Sequence, residues 1–162
     1  MRKILVVDDE QDLCYFVKRC LEKTGEYEVV TTSLPEDVSN LCQQEHPDLV
    51  LLDIVMPNMR GEDVIKLIHK DPQNAKTLIV VTSGLGEMTY HIKKDQWRWE
   101  PNRPVVQERG EVIKERSSEK AAQVYGVDDF LAKPFSPETL LLVLKELFER
   151  QSKPEAGPKE EV

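Results

Sequence analysis

Several features are scarce in this chain, and each scarcity removes a class of protein. No apolar stretch approaches the roughly 18 residues of a membrane-spanning helix, so no membrane partner is expected. The opening Met1-Arg2-Lys3-Ile4 does not resemble a secretory leader, because the apolar run that follows is short and ends in two aspartates. A cytoplasmic location is the expectation. Cysteine is limited to Cys14, Cys20 and Cys42, an odd number without metal-ligand spacing. That pattern argues against a disulfide framework and for reduced core thiols, two of them on predicted core faces of helices. Excess positive charge is also lacking, since the formal net charge is -8. Broad binding to a phosphate backbone needs clustered Lys and Arg, so direct nucleic-acid contact is not expected. His46, His69 and His91 show no ligand spacing.

What the chain does have is a set of short apolar runs that end in chemically useful residues. At 162 residues, 40% hydrophobic and 32% charged, it has room for one core of ordinary size. Leu49-Val50-Leu51-Leu52-Asp53 is apolar until its last residue, the pattern of a central parallel strand covered on both faces. Lys3–Val7 is a second such run, followed by Asp8-Asp9-Glu10. Tyr27–Thr32 is rich in β-branched residues, Leu78–Val81 leads into Thr82-Ser83-Gly84, and Asp129–Ala132 leads into Lys133-Pro134-Phe135.

Helical spacing separates these runs. Leu13, Phe16, Val17, Cys20 and Leu21 share one face and Gly25 ends that helix. Val38, Leu41 and Cys42 lie inward in a second helix opened by Ser33 or Leu34-Pro35, and Val64, Ile65, Leu67 and Ile68 in a third. A last helix runs from Ser136 with Leu140, Leu141, Leu144, Leu147 and Phe148 inward. Strand and helix alternate five times, which calls for an α/β fold: a doubly wound parallel sheet with right-handed crossovers and helices on both faces. One domain over 1–150 is expected, followed by a charged, disordered tail over 151–162.

In such a sheet the carboxyl ends of the strands share one edge, where ligands bind. Asp8, Asp9, Asp53, Thr82 and Lys133 are therefore brought together although far apart in sequence. Carboxylates within about 4–6 Å repel unless a cation intervenes, and a hard divalent cation such as Mg²⁺ suits oxygen ligands. One carboxylate oxygen can then serve as a nucleophile, and a transferred phosphoryl group would find positive partners in the cation and Lys133.

Asp8-Asp9, the spacing Asp53-x-x-Met56-Pro57-x-x-x-Gly61, Thr82-Ser83 and Lys133-Pro134-Phe135 resemble the receiver domain of two-component response regulators. The resemblance implies a flavodoxin-like five-stranded sheet in the order 2-1-3-4-5. It makes Asp53 the phosphoacceptor of a sensor histidine kinase or phosphotransfer protein, and Asp8, Asp9, Asp53 and the backbone carbonyl of Val55 the Mg²⁺ ligands. Thr82 and Lys133 match the family's hydroxyl and lysine, and Phe130 its aromatic switch position. Phosphorylation would then move Thr82, let Phe130 turn inward and repack a surface read by a downstream protein target or a homodimer partner.

The chain departs from the family pattern in two ways. Thr82 and Lys133 are 51 positions apart, about 25–30 residues more than one crossover helix and its loops require. The extra material falls at about 85–118 and holds Trp97 and Trp99. Its alternation predicts a β-hairpin turning near Glu100-Pro101-Asn102-Arg103, then a helix from about Val112. Secondly, Val55 and Gly84 offer no side chain to orient a hydrolytic water. A Mg²⁺-dependent phosphatase with an aspartate nucleophile, and an interaction module that is never phosphorylated, are the competing readings. The first wants a second Asp two residues after the nucleophile, where this chain has Val55. A phosphoacceptor that assists its own phosphorylation and dephosphorylation, not a turnover enzyme, is the leading expectation.

Overall fold

The apolar runs become strands in the computed structural model, which describes residues 1–57, 59–83, 86–91, 96–101 and 126–152. Seven strands lie among the described residues: β1 (Arg2–Val7), β2 (Tyr27–Thr32), β3 (Leu49–Asp53), β4 (Leu78–Ser83), β5 (Gly86–His91), β6 (Gln96–Pro101) and β7 (Asp129–Ala132). Four helices accompany them: α1 (Gln11–Glu22), α2 (Val38–Glu45), α3 (Gly61–Lys70) and α4 (Pro137–Ser152). Five strands form one sheet in the order β2-β1-β3-β4-β7, every pair parallel, so the doubly wound topology is the expected one.

Alternate residues of each central strand feed two separate cores, because successive side chains of a strand point to opposite faces. Ile4, Val6, Leu49, Leu51 and Val80 pack with Val17 and Leu21 of α1 and with Leu140, Leu144 and Leu147 of α4. Leu5, Val7, Val50, Leu52, Ile79 and Val81 pack with Cys42 of α2 and with Val64, Ile65 and Ile68 of α3. All of β3 is buried. At roughly 1.5–3 kcal/mol for each large aliphatic side chain removed from water, these two layers hold the strand ends in register.

Helix starts follow local chemistry. Ser136 precedes α4, its hydroxyl accepts the Thr139 N–H at 3.2 Å, and Pro137 occupies the first helical position. A 3₁₀ turn at Pro35–Asp37 leads into α2.

Several expectations need correction. In α1 the buried residues are Cys14, Val17 and Leu21, while Phe16 is 38% exposed and Cys20 only half-buried. The inward stripe is a narrow 14-17-21 row, one position away from the broader face read from the sequence. Leu67 is likewise exposed on α3. Helix α4 runs to Ser152, two residues into the segment expected to be tail, and its last turn is closed by Ser152 Oγ donating to the Phe148 carbonyl at 2.8 Å. Residues 153–162 lie outside the described residues.

The hairpin exists, but its reversal falls elsewhere. β5 and β6 pair antiparallel with His91 opposite Gln96, while Glu100 and Pro101 pair with Glu87 and Gly86, so the expected turn residues lie within the ladder. Proline is tolerated at a strand end, and here Pro101 closes the ribbon instead of turning it. In the backbone register Tyr90 lies opposite Trp97 and Met88 opposite Trp99. The helix expected from about Val112 lies outside the described residues.

Burial pushes the Cys14 and Cys42 thiols up to about 11. At about pH 8 only roughly one such thiol in a thousand is thiolate, the species that alkylates. Iodoacetamide on the native protein, followed by peptide mass spectrometry, should label Cys20 first. Equal labelling of Cys14 would contradict the packing described.

Candidate functional site

β1 delivers the first carboxylates. Asp8 continues its pairing, its N–H donating to the Thr32 carbonyl at 3.1 Å, and is 2% exposed. Its Oδ1 accepts the Glu10 N–H at 2.9 Å, which bends the chain into α1 and leaves Asp9 on the surface. Asp53 ends β3 at 4% exposure, and its Oδ1 accepts the Val55 N–H at 3.0 Å, a local turn of the kind aspartate favours.

The loop after Asp53 explains the Met56-Pro57-x-x-x-Gly61 spacing. Val55 and Arg60 form an antiparallel bridge, and the Gly61 N–H returns to the Ile54 carbonyl at 3.2 Å. A Cβ on Gly61 would stand 2.6 Å from the Ile54 Cα and 3.2 Å from the Asp53 carbonyl oxygen, so only glycine lets α3 start against the Asp53–Ile54 backbone.

Thr82 lies directly opposite Asp53 in the β3–β4 register and is 2% exposed. Lys133 follows β7, and its side chain is 10% exposed. Its Nζ reaches Asp8 Oδ2 at 2.7 Å, Asp53 Oδ2 at 3.3 Å and Glu10 Oε1 at 3.3 Å. One ammonium thus binds three carboxylates, two of them buried.

Burial raises the Asp53 carboxyl above its ordinary range and Asp8 adds to the rise, against the opposing pull of the Val55 N–H and Lys133. Burial alone would lower Lys133, but its hydrogen bond to Asp8, with the charges of Asp53 and Asp8, holds it above its usual value. Four carboxylates around one ammonium leave the site short of positive charge. Carboxylate oxygens of Asp8, Asp9 and Asp53 lie within 4.8 Å of one another. An octahedral cation with metal–oxygen distances of about 2.1 Å needs ligand oxygens roughly 3–4 Å apart, a small adjustment from this arrangement, so the donors fit a hard divalent ion.

Of the residues singled out from the sequence, Asp8, Asp9, Asp53 and Lys133 are brought into one cluster and Thr82 stands beside it. Val55 is tied to the site through its N–H. Phe130 lies opposite Val81, one position from Thr82, and is half-buried against the core shared with α2 and α3. Gly84 is outside the described residues. Glu10 was not singled out as a site residue, although its place in the run Asp8-Asp9-Glu10 was the available signal. Asp128 is structural: its N–H donates to the Ile79 carbonyl at 2.8 Å and its carboxylate accepts the Ile79 N–H at 2.7 Å, pinning the start of β7 onto β4.

A model of the response regulator receiver domain matches residues 4–96. Among curated relatives, the "Probable transcriptional regulator ycf27" of Guillardia theta is 30% identical over 93% of this chain and 47% of its own. The alkaline phosphatase synthesis transcriptional regulatory protein PhoP of Bacillus subtilis is 27% identical over 92% and 49%. The chain spans about half the length of the curated relatives it matches. Among solved structures, the chemotaxis protein CheY4 of Vibrio cholerae is similar with TM-score 0.67 and 24% identity, over 91% of this chain and 98% of that one. The signal receiver domain of a response regulator from Bermanella marisrubri is similar with TM-score 0.63 and 26% identity, over 90% and 97%.

Proposed function

The chain belongs to the response regulator receiver domain family, whose general function is phosphorylation-dependent switching, and on that premise we propose that Asp53 is its phosphoacceptor. A receiver implies a phosphodonor partner, and we assign that part to a sensor histidine kinase or phosphotransfer protein. The carboxylate oxygen of Asp53 attacks the donor's phosphorus, the bond from phosphorus to the donor nitrogen or oxygen breaks, and the leaving group departs with its electron pair. Asp8, Asp9, Asp53 and the Val55 carbonyl would hold Mg²⁺, which supplies charge neutralisation at the transferring phosphoryl oxygens. Lys133 turns one N–H from Asp53 to a phosphoryl oxygen, and Thr82 donates its hydroxyl to another. Phe130 then repacks, and the altered surface binds a downstream protein or a second copy of this chain.

The observation that carries this reading is the approach of Lys133 Nζ to both Asp8, at 2.7 Å, and Asp53, at 3.3 Å. The test is intact mass after acetyl phosphate and Mg²⁺, comparing wild type with Asp53→Asn. The competing phosphatase reading lacks its general acid, since Val55 occupies that position. We therefore read the protein as a switch without catalytic turnover.

Domain limits and partners belong to the same proposal. The family match ends at residue 96, yet β7, Lys133 and α4 complete the sheet beyond it, so we read 1–150 as one receiver domain interrupted at about 85–118. The expectation of no nucleic-acid contact is not matched by relatives named as transcriptional regulators. We confine it to this acidic stretch itself, of net charge -8. No described helix is long and apolar enough to cross a membrane, and we propose a cytoplasmic location.

Val55 is 44% exposed at the mouth of the site and cannot orient a water. The phosphoryl group should accordingly persist in Mg²⁺ buffer when no phosphatase is added. Loss within seconds, followed by mass or radiolabel, would show that another residue positions the water.

A further inference from the structure

Glu10 has no role in the receiver reading, yet its carboxylate lies on the site's ammonium. We propose that Glu10 is a positioning residue for Lys133, drawing the ammonium away from Asp8 so that Asp8 is free to bind the divalent cation. The inference rests on the receiver reading of the site and adds a residue to it.

The ion pairs of Lys133 support this reading. Three carboxylates lie within ion-pair distance of this one ammonium: Asp8 Oδ2 at 2.7 Å, Glu10 Oε1 at 3.3 Å and Asp53 Oδ2 at 3.3 Å, the last two as hydrogen-bond acceptors. Asp8 Oδ1 is already engaged by the Glu10 N–H at 2.9 Å. Asp8 Oδ2 is therefore the oxygen for which Lys133 and a cation compete. Binding the cation requires Lys133 to loosen that contact without leaving Asp53, and it needs a second anion nearby.

Glu10 is placed to be that anion. Its backbone is pinned on both sides, by the N–H bond to Asp8 and by the Cys14 N–H donating to its carbonyl at 3.0 Å. The side chain reaches across to Lys133 while remaining 65% exposed, so its charge keeps most of its hydration. It stands outside the group formed by the Asp8, Asp9 and Asp53 oxygens. A plain alternative is an exposed acid just before α1, acting only by its charge on the helix dipole and on the cation.

Calorimetric titration of Mg²⁺ into the phosphate-free protein separates the two. Glu10→Gln should weaken Mg²⁺ binding by up to about fivefold, the scale of one partly exposed ion pair. In a Lys133→Ala background, or Lys133→Gln should the first not fold, the same change should leave the affinity unaltered, because the competitor is gone. An unchanged affinity for Glu10→Gln alone, or equal weakening in both backgrounds, would overturn the proposal. Failure of the receiver reading looks different: wild type would bind no Mg²⁺ and take no phosphoryl group from acetyl phosphate.

Discussion

Asp53→Asn takes up no phosphoryl group from acetyl phosphate and Mg²⁺, while wild type gains one. The expected loss is complete, because the amide oxygen is not a nucleophile and the other carboxylates are poorly placed to replace it. Asp8 has one oxygen on the Glu10 N–H and the other on Lys133, and Asp9 is exposed. The change is also gentle on the fold. Asparagine keeps an oxygen for the Val55 N–H and occupies nearly the same volume. Burial raises the Asp53 carboxyl above its ordinary 3.8, so the folded state holds this proton more tightly than the unfolded one. In metal-free buffer that site costs stability as pH rises from about 3.8 through the raised value, and the penalty persists at neutral pH. Asparagine removes it. Urea unfolding without metal should show the variant at least as stable as wild type near pH 7. A variant that still gains a phosphoryl group, mapped to another residue, would displace Asp53 from its role.

How much of this was legible in advance depends on the kind of signal. The strands were, because burial on both faces writes Leu49–Leu52 and Lys3–Val7 as unbroken apolar runs, and parallel topology then fixes where Asp8, Asp53, Thr82 and Lys133 must meet. Half-exposed faces were read less well. Phe16 and Leu67 satisfy helical spacing yet stay exposed, since spacing marks a stripe without fixing its width or centre. The hairpin was recognised from alternation, but alternation has no origin: Pro101 looked like a turn and proved to be the partner of Gly86. Glu10 escaped notice because a third carboxylate after a pair reads as a solvated helix start. Only the Lys133 geometry singles it out.

Lys133→Ala should be the most destabilising change at the site, and the effect should depend on magnesium. The wild-type ammonium offsets two carboxylates whose side chains are only 3% and 5% exposed. Removing one partner of a buried pair leaves charge without compensation, at about 3 kcal/mol for a site at the edge of the sheet. In EDTA at neutral pH the variant should therefore unfold at markedly lower urea than wild type. Added Mg²⁺ should restore much of the difference, since a cation among Asp8, Asp9 and Asp53 supplies the missing charge and stabilises the state that binds it. The pH dependence has a fixed sign. Lys133 is held above its usual 10.5, so its contribution is fully present below that value and is lost as pH rises through the folded-state value. The gap between variant and wild type should close at high pH, and narrow again in acid as Asp53 protonates. Equal stability in EDTA, with no response to Mg²⁺, would mean that solvent already compensates these carboxylates, and the electrostatic account of the site would fail with it.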